Sequence, residues 1–491
     1  MTAHVLTMNR FRWVFCQLET LRQCLPQSVL RTLNELPESL DDTYERLITN
    51  IKRANKPHAY RMLQCLTVAI RPLRVAELAE LLAFDFDVAE GEIPKLKPTW
   101  RWEDHEQAIL STCSSLVTVV PNFGSQRSPV VQFSHFSVKE FLMSDRLATS
   151  RRDISCYHIS RKDAHTFLTK ASLAVLLRDP DVNNSTDNAP LAEYAAEYLV
   201  THAQIRNVAS RVRVGMEYLF DPDKPYFEAW VRLHNIDQFI SSSIPPDSIP
   251  PDLEPGARPL YYAARVGFHE LVEHLTLKYP QYASAKGGLC GTALHSASFE
   301  GHLQVVRYLL RHGVDVNIRN TESSTPLLLA SWKGHRDIVQ CLLDQGADLD
   351  LRDKWYNSPL TLAAHYGHVD VVRLLLDHNA DVNFESTTGS TVLRHVILVD
   401  KFKADRPQMV RLLLKHGANA NARDHTRRTP LHLVSQRPDL VDILRILLEH
   451  GADLDVEDKD GKTPLQLSLE EGHPEVTRLL SEYATTKPMS R

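Results

Sequence analysis

The sequence predicts a mainly α-helical chain whose second half is a solenoid of about seven stacked helical hairpins. Three observations lead to this fold class. A triplet similar to Thr-Pro-Leu recurs every 33 to 38 residues from Arg258 onward. Most triplets are followed by Gly-His or a close variant, and then by Val, Ile and Leu at helical spacing. A proline-dense segment separates these repeats from a non-repetitive first half, so the 491 residues form more than one domain.

Each position of the repeat has a physical reason. Thr or Ser before proline supplies a side-chain oxygen that caps a helix, and proline suits the first helical position because no donor is needed there. The glycine that follows ends this first helix, since it tolerates positive φ. The apolar run then buries a second helix against the first. The repeat units are predicted at residues 258–291, 292–324, 325–357, 358–390, 391–428, 429–462 and 463–486.

These residues closely resemble the ankyrin repeat, from Arg258 to about Glu482. The resemblance implies a helical repeat array at residues 258–491 that binds other proteins on a concave face. Two units depart from the pattern. The fifth carries five extra residues around Asp400 and has Arg406-Pro407 in place of Gly-His, and the sixth has Arg437-Pro438 there. Because such a stack is only as cooperative as its neighbouring interfaces, we predict a looser joint in this region.

The first half is predicted to hold amphipathic helices and one β-ribbon. Apolar residues at helical spacing predict helices at 40–51, 60–70, 75–82 and 106–113, and strand-like runs follow at 116–120 and 130–133. A further helix is predicted to open at Ser137, with Ser137 and Glu140 forming a capping box. Helices followed by a two-stranded wing are typical of a winged helix.

Several segments resemble fungal NACHT–ankyrin proteins. The segments 36–47, 71–84 and 133–142 resemble the winged helix that follows the NACHT nucleotide-binding module, and 189–204 resembles the helical spacer before the repeats. Phe11–Cys24 resembles the end of the NACHT module. The resemblance implies a NACHT remnant at 1–25, a winged-helix-like domain at 26–150 and a helical spacer at 151–243, and the density of prolines predicts a linker at 244–257. The alternative for this linker is a proline-rich ligand of a partner's groove.

A nucleotide site is not indicated. A P-loop needs GxxxxGK[ST], but Gly461-Lys462-Thr463 has Val456 where the first glycine belongs, so no cofactor is expected. The resemblance implies that His135 stands where NACHT-type proteins have a histidine that touches the nucleotide phosphate. The alternative, which we favour, is that His135 satisfies free N–H groups at a helix start.

Other chemistry is not indicated either. No hydrolase or zinc-protease motif is present, and the net charge of −5 is spread along the chain. The helix expected to enter a DNA groove, 75–82, carries Glu77 and Glu80 and no basic side chain, so no nucleic-acid partner is expected. Histidines such as His302 and His335 recur once per unit, too far apart to share a metal ion. The sequence has no apolar stretch long enough to span a membrane and no signal-peptide pattern, and its seven scattered cysteines predict reduced thiols.

The predicted partner surface combines the ends of the first helices with one hairpin tip. Phe299, Trp332 and His365 are spaced by 33 residues, so we expect them to align as an aromatic stripe. The alternative is that Trp332 folds over its neighbours and closes the groove. The candidate binding residues are Phe299, Glu300, Trp332, Lys333, His365 and Tyr366 on the helices, with Arg352, Lys354, Trp355, Tyr356 and Asn357 on the hairpin.

The function that follows is a non-enzymatic scaffold or adaptor for a protein partner, located in the cytoplasm, with the nucleus as the alternative. One alternative function is the sensor half of a NACHT-type signalling NTPase whose nucleotide-binding part is absent from this chain. A further alternative is a transcription or chromatin adaptor. The sequence leaves the partner, the pathway and the oligomeric state open.

Overall fold

The structure is a computed structural model that divides into two compact units, Met1–Ser242 and Ser243–Arg491. The segment 11–24 that resembles the end of the NACHT module, and the Pro-rich linker except for Ala257, lie outside the described residues. The mainly helical fold class is confirmed. The structure describes residues 39–89, 92–101, 103–113, 115–121, 128–178, 189–205, 207–234, 257–386, 390–399 and 404–486.

The first unit is a set of short helices around small antiparallel sheets. Its strands are β1 (Leu73–Arg74), β2 (Phe84–Asp85), β3 (Lys95–Leu96), β4 (Val117–Val120) and β5 (Val130–Phe133). Its helices are α1 (Leu40–Thr49), α2 (Lys56–Val68), α3 (Val75–Leu82), α4 (His105–Cys113), α5 (Phe136–Leu142), α6 (Asp145–Thr149), α7 (Arg152–Ser155), α8 (Arg161–Leu176), α9 (Ala192–Ala203), α10 (Ala209–Leu219) and α11 (Tyr226–Leu233).

The main sheet has three strands rather than the predicted two. Its order is β1-β5-β4, and Val131 at its centre pairs with Leu73 on one side and Val119 on the other. Leu73 is fully buried, whereas the sequence suggested only a connection at this point. A two-residue strand carries no readable alternation, so its pairing depends on the tertiary fold.

Helix α3 has the predicted bounds but not the predicted place. Seven of its eight residues are buried, Glu77 and Glu80 among them. The helix directly before the wing is α4, which occupies the second position of the helix-turn-helix and would therefore be the one to face a groove. The sequence analysis, which expected no DNA binding, took α3 rather than α4 as the helix at this position, and that placement is wrong. Helix α4 has Glu106 in its first turn and no basic residue in its last.

Buried charges tie α3 to the helices that follow. Glu80, 3% exposed, accepts from Arg178 at 2.7 Å and from the backbone N–H of Leu191 at 2.8 Å. Glu77 forms a two-pronged pair with Arg71, at 2.6 and 2.8 Å. Both carboxylates therefore have the partners that a buried charge requires.

The predicted capping box at Ser137 is wrong. Helix α5 begins at Phe136, and its N-cap is His135, whose Nδ1 accepts the backbone N–H of Ser137 at 3.3 Å. Ser137 is buried, and its hydroxyl lies 2.8 Å from the Tyr44 hydroxyl. A histidine ring nitrogen can cap a helix end in the same way as a serine oxygen, so the role that the sequence analysis favoured for His135 is the one observed.

The second unit is a stack of helical hairpins. The first helix of each repeat packs on the first helix of the next, and the second helices do the same. The first helices are α12 (Arg258–Arg265), α14 (Ala293–Glu300), α16 (Pro326–Lys333), α18 (Pro359–His365), α20 (Val392–Leu398), α22 (Pro430–Ser435) and α24 (Pro464–Glu470). The second helices are α13 (His269–Lys278), α15 (Leu303–Arg311), α17 (Arg336–Asp344), α19 (Val369–Asp377), α21 (Arg406–Lys415), α23 (Val441–Glu449) and α25 (Pro474–Thr486).

Caps and apolar faces form as the pattern predicts. Thr325 and Ser358 cap α16 and α18 through their hydroxyls. Gly334 ends α16 at φ +78°. Leucines such as Leu327 and Leu342 are fully buried in the two helix layers. Within the described part of the chain, no helix is long and apolar enough to cross a bilayer.

Candidate protein-binding surface

Three aromatic rings from consecutive repeats form a continuous ladder. The ring of Phe299, in α14, lies 5.4 Å from that of Trp332, in α16, in an edge-to-face geometry. Trp332 in turn lies 5.9 Å from Tyr366, which directly follows α18. Both separations fall in the range of favourable aromatic pairs. We refer to Phe299, Trp332 and Tyr366 as the aromatic ladder.

The ladder differs from the predicted stripe at its third ring. Counting 33 residues from Trp332 gives His365, but the ring that meets Trp332 is Tyr366. Helix α18 has seven residues, whereas α16 has eight. Helix α18 therefore ends one residue earlier in its repeat than α16 does. His365 instead contacts Tyr366 at 4.7 Å and His395 of the next repeat.

The three rings differ in exposure. Phe299 is only 8% exposed and therefore supports the ladder from below, whereas Trp332 and Tyr366 are half-buried. The Lys333 ammonium lies 4.4 Å from the Phe299 ring centre. Glu300, on the same turn, pairs with Arg265 at 3.5 Å. The helix ends thus offer Trp332 and Tyr366 with one positive and one negative side chain beside them.

The hairpin between the third and fourth repeats exposes two aromatic side chains. Trp355 is 61% exposed and Tyr356 is 56% exposed, with φ +62° at Tyr356. The Lys354 ammonium lies 4.5 Å from the Trp355 ring centre and also pairs with Glu322 of the preceding hairpin. Large exposed aromatics of this kind are typical of protein-binding sites.

The remaining hairpin residues hold its shape. Asp353 is buried and accepts from the backbone N–H groups of Trp355 and Asn357, at 2.9 and 2.8 Å. The Asn357 side chain donates to the other Asp353 oxygen at 3.0 Å. Arg352 lies over the Phe384 ring of the following repeat at 3.9 Å. Asn357 and Arg352 therefore position the hairpin, while Trp355 and Tyr356 face solvent.

The Gly-His histidines bind backbone rather than a ligand. Each Nε2 donates to a carbonyl oxygen at the end of the preceding repeat's first helix, which otherwise lacks a partner. This close approach requires a glycine in the preceding unit, because a Cβ on Gly334 would come within 2.4 Å of the His368 ring. The bonds are His302 to Arg265 (2.9 Å), His335 to Phe299 (3.0 Å), His368 to Trp332 (2.9 Å) and His473 to Gln436 (3.1 Å).

The fifth and sixth repeats lack this bond, as their Arg-Pro pairs suggest. The Arg406 guanidinium donates to the carbonyl of Val399 within its own repeat. Arg394 pairs at 2.6 Å with Asp424, which is 7% exposed, and so ties α20 to the hairpin that follows. The looser joint remains a prediction, because these contacts replace the missing bond in part.

In the winged helix unit, His135 is the N-cap residue of α5. Its Nδ1 lies 2.6 Å from the Ser137 hydroxyl, and its ring packs on Phe136 at 4.3 Å. The nucleotide contact implied for His135 stays a hypothesis.

Among the described residues, no group of three or more His, Cys, Asp or Glu side chains is arranged to hold a metal ion. The described cysteines are free thiols.

Comparisons with known proteins agree with this geometry. The family model described as ankyrin repeats (3 copies) matches residues 260–353, 345–424 and 401–490. The chain carries an ankyrin-repeat domain. The model described as GPI inositol-deacylase, winged helix domain matches residues 44–152, so the first unit contains a winged helix domain of that type.

Two curated relatives are similar to the chain. Azaphilone pigments biosynthesis cluster protein L of Monascus ruber is 29% identical over 298 residues, 58% of this chain and 61% of that protein. The chain therefore spans about three fifths of the length of this relative. Alpha-latrocrustotoxin-Lt1a of Latrodectus tredecimguttatus is 32% identical over 72 residues, 15% of this chain and 5% of the toxin.

Two solved ankyrin-repeat domains are similar to part of the chain. The ankyrin repeat domain of Bcl-3, a member of the IkappaB protein family, is 27% identical, with 45% of this chain and 97% of that chain covered at a TM-score of 0.41. The human ASB11 ankyrin repeat domain is 25% identical over the same shares, at a TM-score of 0.39.

Proposed function

We propose that the chain is a non-enzymatic scaffold or adaptor that binds a protein partner through the concave face of its ankyrin-repeat domain. The ankyrin repeats support a protein-interaction domain. The observation that carries the finer proposal is the placement of the aromatic residues. The first helices bring Trp332 and Tyr366 into one ladder, and the adjoining hairpin holds Trp355 and Tyr356 in solvent.

The energetics favour binding at these residues. Each exposed ring can bury a large area on association, and Trp and Tyr dominate the energy of measured interfaces. The hairpin is already ordered by Asp353, so little conformational entropy is lost when a partner binds. Lys333 and Lys354 lie beside the rings together with the carboxylates of Glu300 and Glu322, so charges of both signs flank the aromatic surface and can select a complementary partner.

The test compares variants of the full chain in partner binding. Trp355→Ala with Tyr356→Ala should weaken binding by tenfold or more, as expected for hot-spot residues, and should leave the melting curve unchanged. Leu277→Ala is the matched control, because Leu277 is 71% exposed but lies on α13, a second helix. Equal binding by the hairpin variant and the wild type would overturn the proposed face.

The partner is sought first among proteins of the same type of gene cluster. The Monascus ruber relative is named as a pigment biosynthesis cluster protein. We propose that this chain likewise holds a protein of a biosynthetic cluster. Purified cluster proteins, assayed one by one by surface plasmon resonance, test this directly.

A second candidate function is the sensor half of a NACHT-type signalling NTPase. The winged helix match at residues 44–152 favours it, because this domain follows the nucleotide-binding module in the proteins that the sequence resembles. A P-loop motif encoded in frame upstream of Met1 would support this candidate. Nucleotide hydrolysis by the chain itself would contradict the non-enzymatic proposal.

A further inference from the structure

The joint between the fourth and fifth repeats is closed differently from its neighbours. At four other joints a Gly-His histidine donates Nε2–H to a backbone carbonyl. The fifth repeat has Arg406-Pro407 at that place. Here His365 of α18 and His395 of α20 face each other instead, with Nδ1 of His365 2.5 Å from Nε2 of His395.

Acid affects these two kinds of hydrogen bond differently. A histidine that donates to a carbonyl keeps its N–H when it is protonated, so acid leaves the bond in place. The His365–His395 bond needs one nitrogen without a proton as acceptor. One added proton can be held between the rings, but a second removes the acceptor and sets two cations at hydrogen-bond distance.

We propose that the His365–His395 pair makes this joint an acid-sensitive hinge of the array. The opposite side of the joint is held by two bonds of Asn383 that do not titrate, and by a His416–Asp377 pair at 3.8 Å that acid does not break while Asp377 stays ionised. Asn383 donates to the carbonyl of Gly417 at 2.9 Å and accepts from the backbone N–H of Asn419 at 2.7 Å. Acid therefore opens the joint on the side of the first helices, where His365 also contacts the Tyr366 ring of the ladder.

The charged groups on the neighbouring elements are engaged elsewhere. On α20, Arg394 pairs with Asp424, and Arg406 of α21 donates to Val399. On α16, Lys333 lies over Phe299, and His368, at the start of α19, bonds to Trp332. His432 of α22 bonds to Thr429 and the carbonyl of Lys462.

The direction of the effect follows from linkage. Burial, followed by the charge of His365, lowers the pKa of His395 below its usual value. The open joint takes up two protons below pH ~6.5, whereas the closed joint holds at most one. The opening equilibrium should therefore rise about tenfold for each pH unit below ~6.5.

The test is hydrogen exchange of the full chain between pH 7.5 and pH 5.5, expressed as protection factors. We expect the amides of α18 and α20 to lose about tenfold in protection, while those of α17, beside the His335 bond, change little. In the double variant His365→Gln with His395→Gln, the loss should disappear, because two amides bond without titrating.

Two outcomes would overturn the proposal. One is an equal loss of protection at α17 and α20 in the wild type. This measurement needs no variant, so it holds even if the double variant fails to fold. The other is an undiminished loss in the glutamine variant. Neither depends on whether the concave face binds a partner, so the proposed function and the hinge can fail separately.

Discussion

His335 Nε2 lies 3.0 Å from the carbonyl oxygen of Phe299, so the residue that precedes α17 holds the end of α14 in the repeat before it. The side chain of Phe299 also packs against Trp332 in the aromatic ladder. One hydrogen bond thus fixes both the stacking of two repeats and the position of the candidate binding surface.

Replacing His335 by alanine is expected to destabilise the array by about 1–2 kcal/mol, because the helix-end carbonyl of Phe299 loses its partner in a half-buried place. The matched control is His312→Ala, since the exposed His312 bonds only to Tyr308 of its own helix. Its cost should stay below ~0.5 kcal/mol. Urea unfolding of both variants measures the difference, and equal midpoints would contradict this role.

Gly334→Ala should cost more than Gly313→Ala, although both glycines have positive φ, +78° and +80°. A Cβ at residue 334 would come within 2.4 Å of the His368 ring, whereas one at 313 meets nothing within 4 Å. We expect about 1 kcal/mol at 313 from backbone strain and at least about 2 kcal/mol at 334, where the His368 bond is also lost. Chemical denaturation decides this, and similar losses would show that His368 adapts freely.

Glu80→Ala should destabilise the first unit by about 3–5 kcal/mol, since it leaves Arg178 without its carboxylate at a nearly buried site. Arg211→Ala, which removes the exposed pair of α10 with Asp163 on α8, is the control and should change stability by less than ~0.5 kcal/mol. Thermal unfolding followed by calorimetry distinguishes them. A small effect at Glu80 would mean that water replaces its bonds.

The first unit should lose stability in acid through a buried histidine pair. His165 and His202 lie 2.8 Å apart, and His202 also bonds to the Tyr194 hydroxyl at 2.9 Å. Burial lowers the pKa of His165 to about 4, and burial with the His165 charge lowers that of His202 to about 3. Because the folded state resists protonation, this stability is complete above pH ~6.5 and declines as the pH falls toward 4.

The melting temperature of the first unit between pH 7 and pH 4 measures this decline. His165→Gln should flatten the slope, since one titrating group is gone while a hydrogen-bonding side chain remains. Exposed His312→Gln should leave the slope as in the wild type. A slope that is the same in all three proteins would assign the acid sensitivity to other groups.

Local pattern was sufficient for much of the fold. The bounds of α3 and β5 were predicted to the residue, and capping residues such as Thr325 were read correctly, because caps and apolar periodicity depend on neighbours within a few positions. The same reasoning failed at β1 and at Ser137, whereas His135 caps α5 as the sequence analysis favoured. A two-residue strand and a buried serine acquire their roles only from partners elsewhere in the fold, here β5 and Tyr44.

The candidate surface was predicted in composition but not in arrangement. Trp332, Trp355 and Tyr356 were found from residue type and repeat position. Phe299 is buried because Trp332 and Lys333 of the next repeat cover it, and Tyr366 rather than His365 meets Trp332 where α18 ends. Repeat arithmetic treats every unit as equal, whereas a helix shortened by one residue turns its last side chains to a different direction.

The sequence by itself determined that the chain holds a helical repeat array, where each repeat begins, and which side chains could bind a partner. Only the tertiary structure decided how the repeats are joined. The bonds from His335 to Phe299 and from His365 to His395 join residues 36 and 30 positions apart. Periodicity reports which face of a helix is buried, but not which polar atom of the next repeat lies within bonding distance, because that depends on how two helices pack.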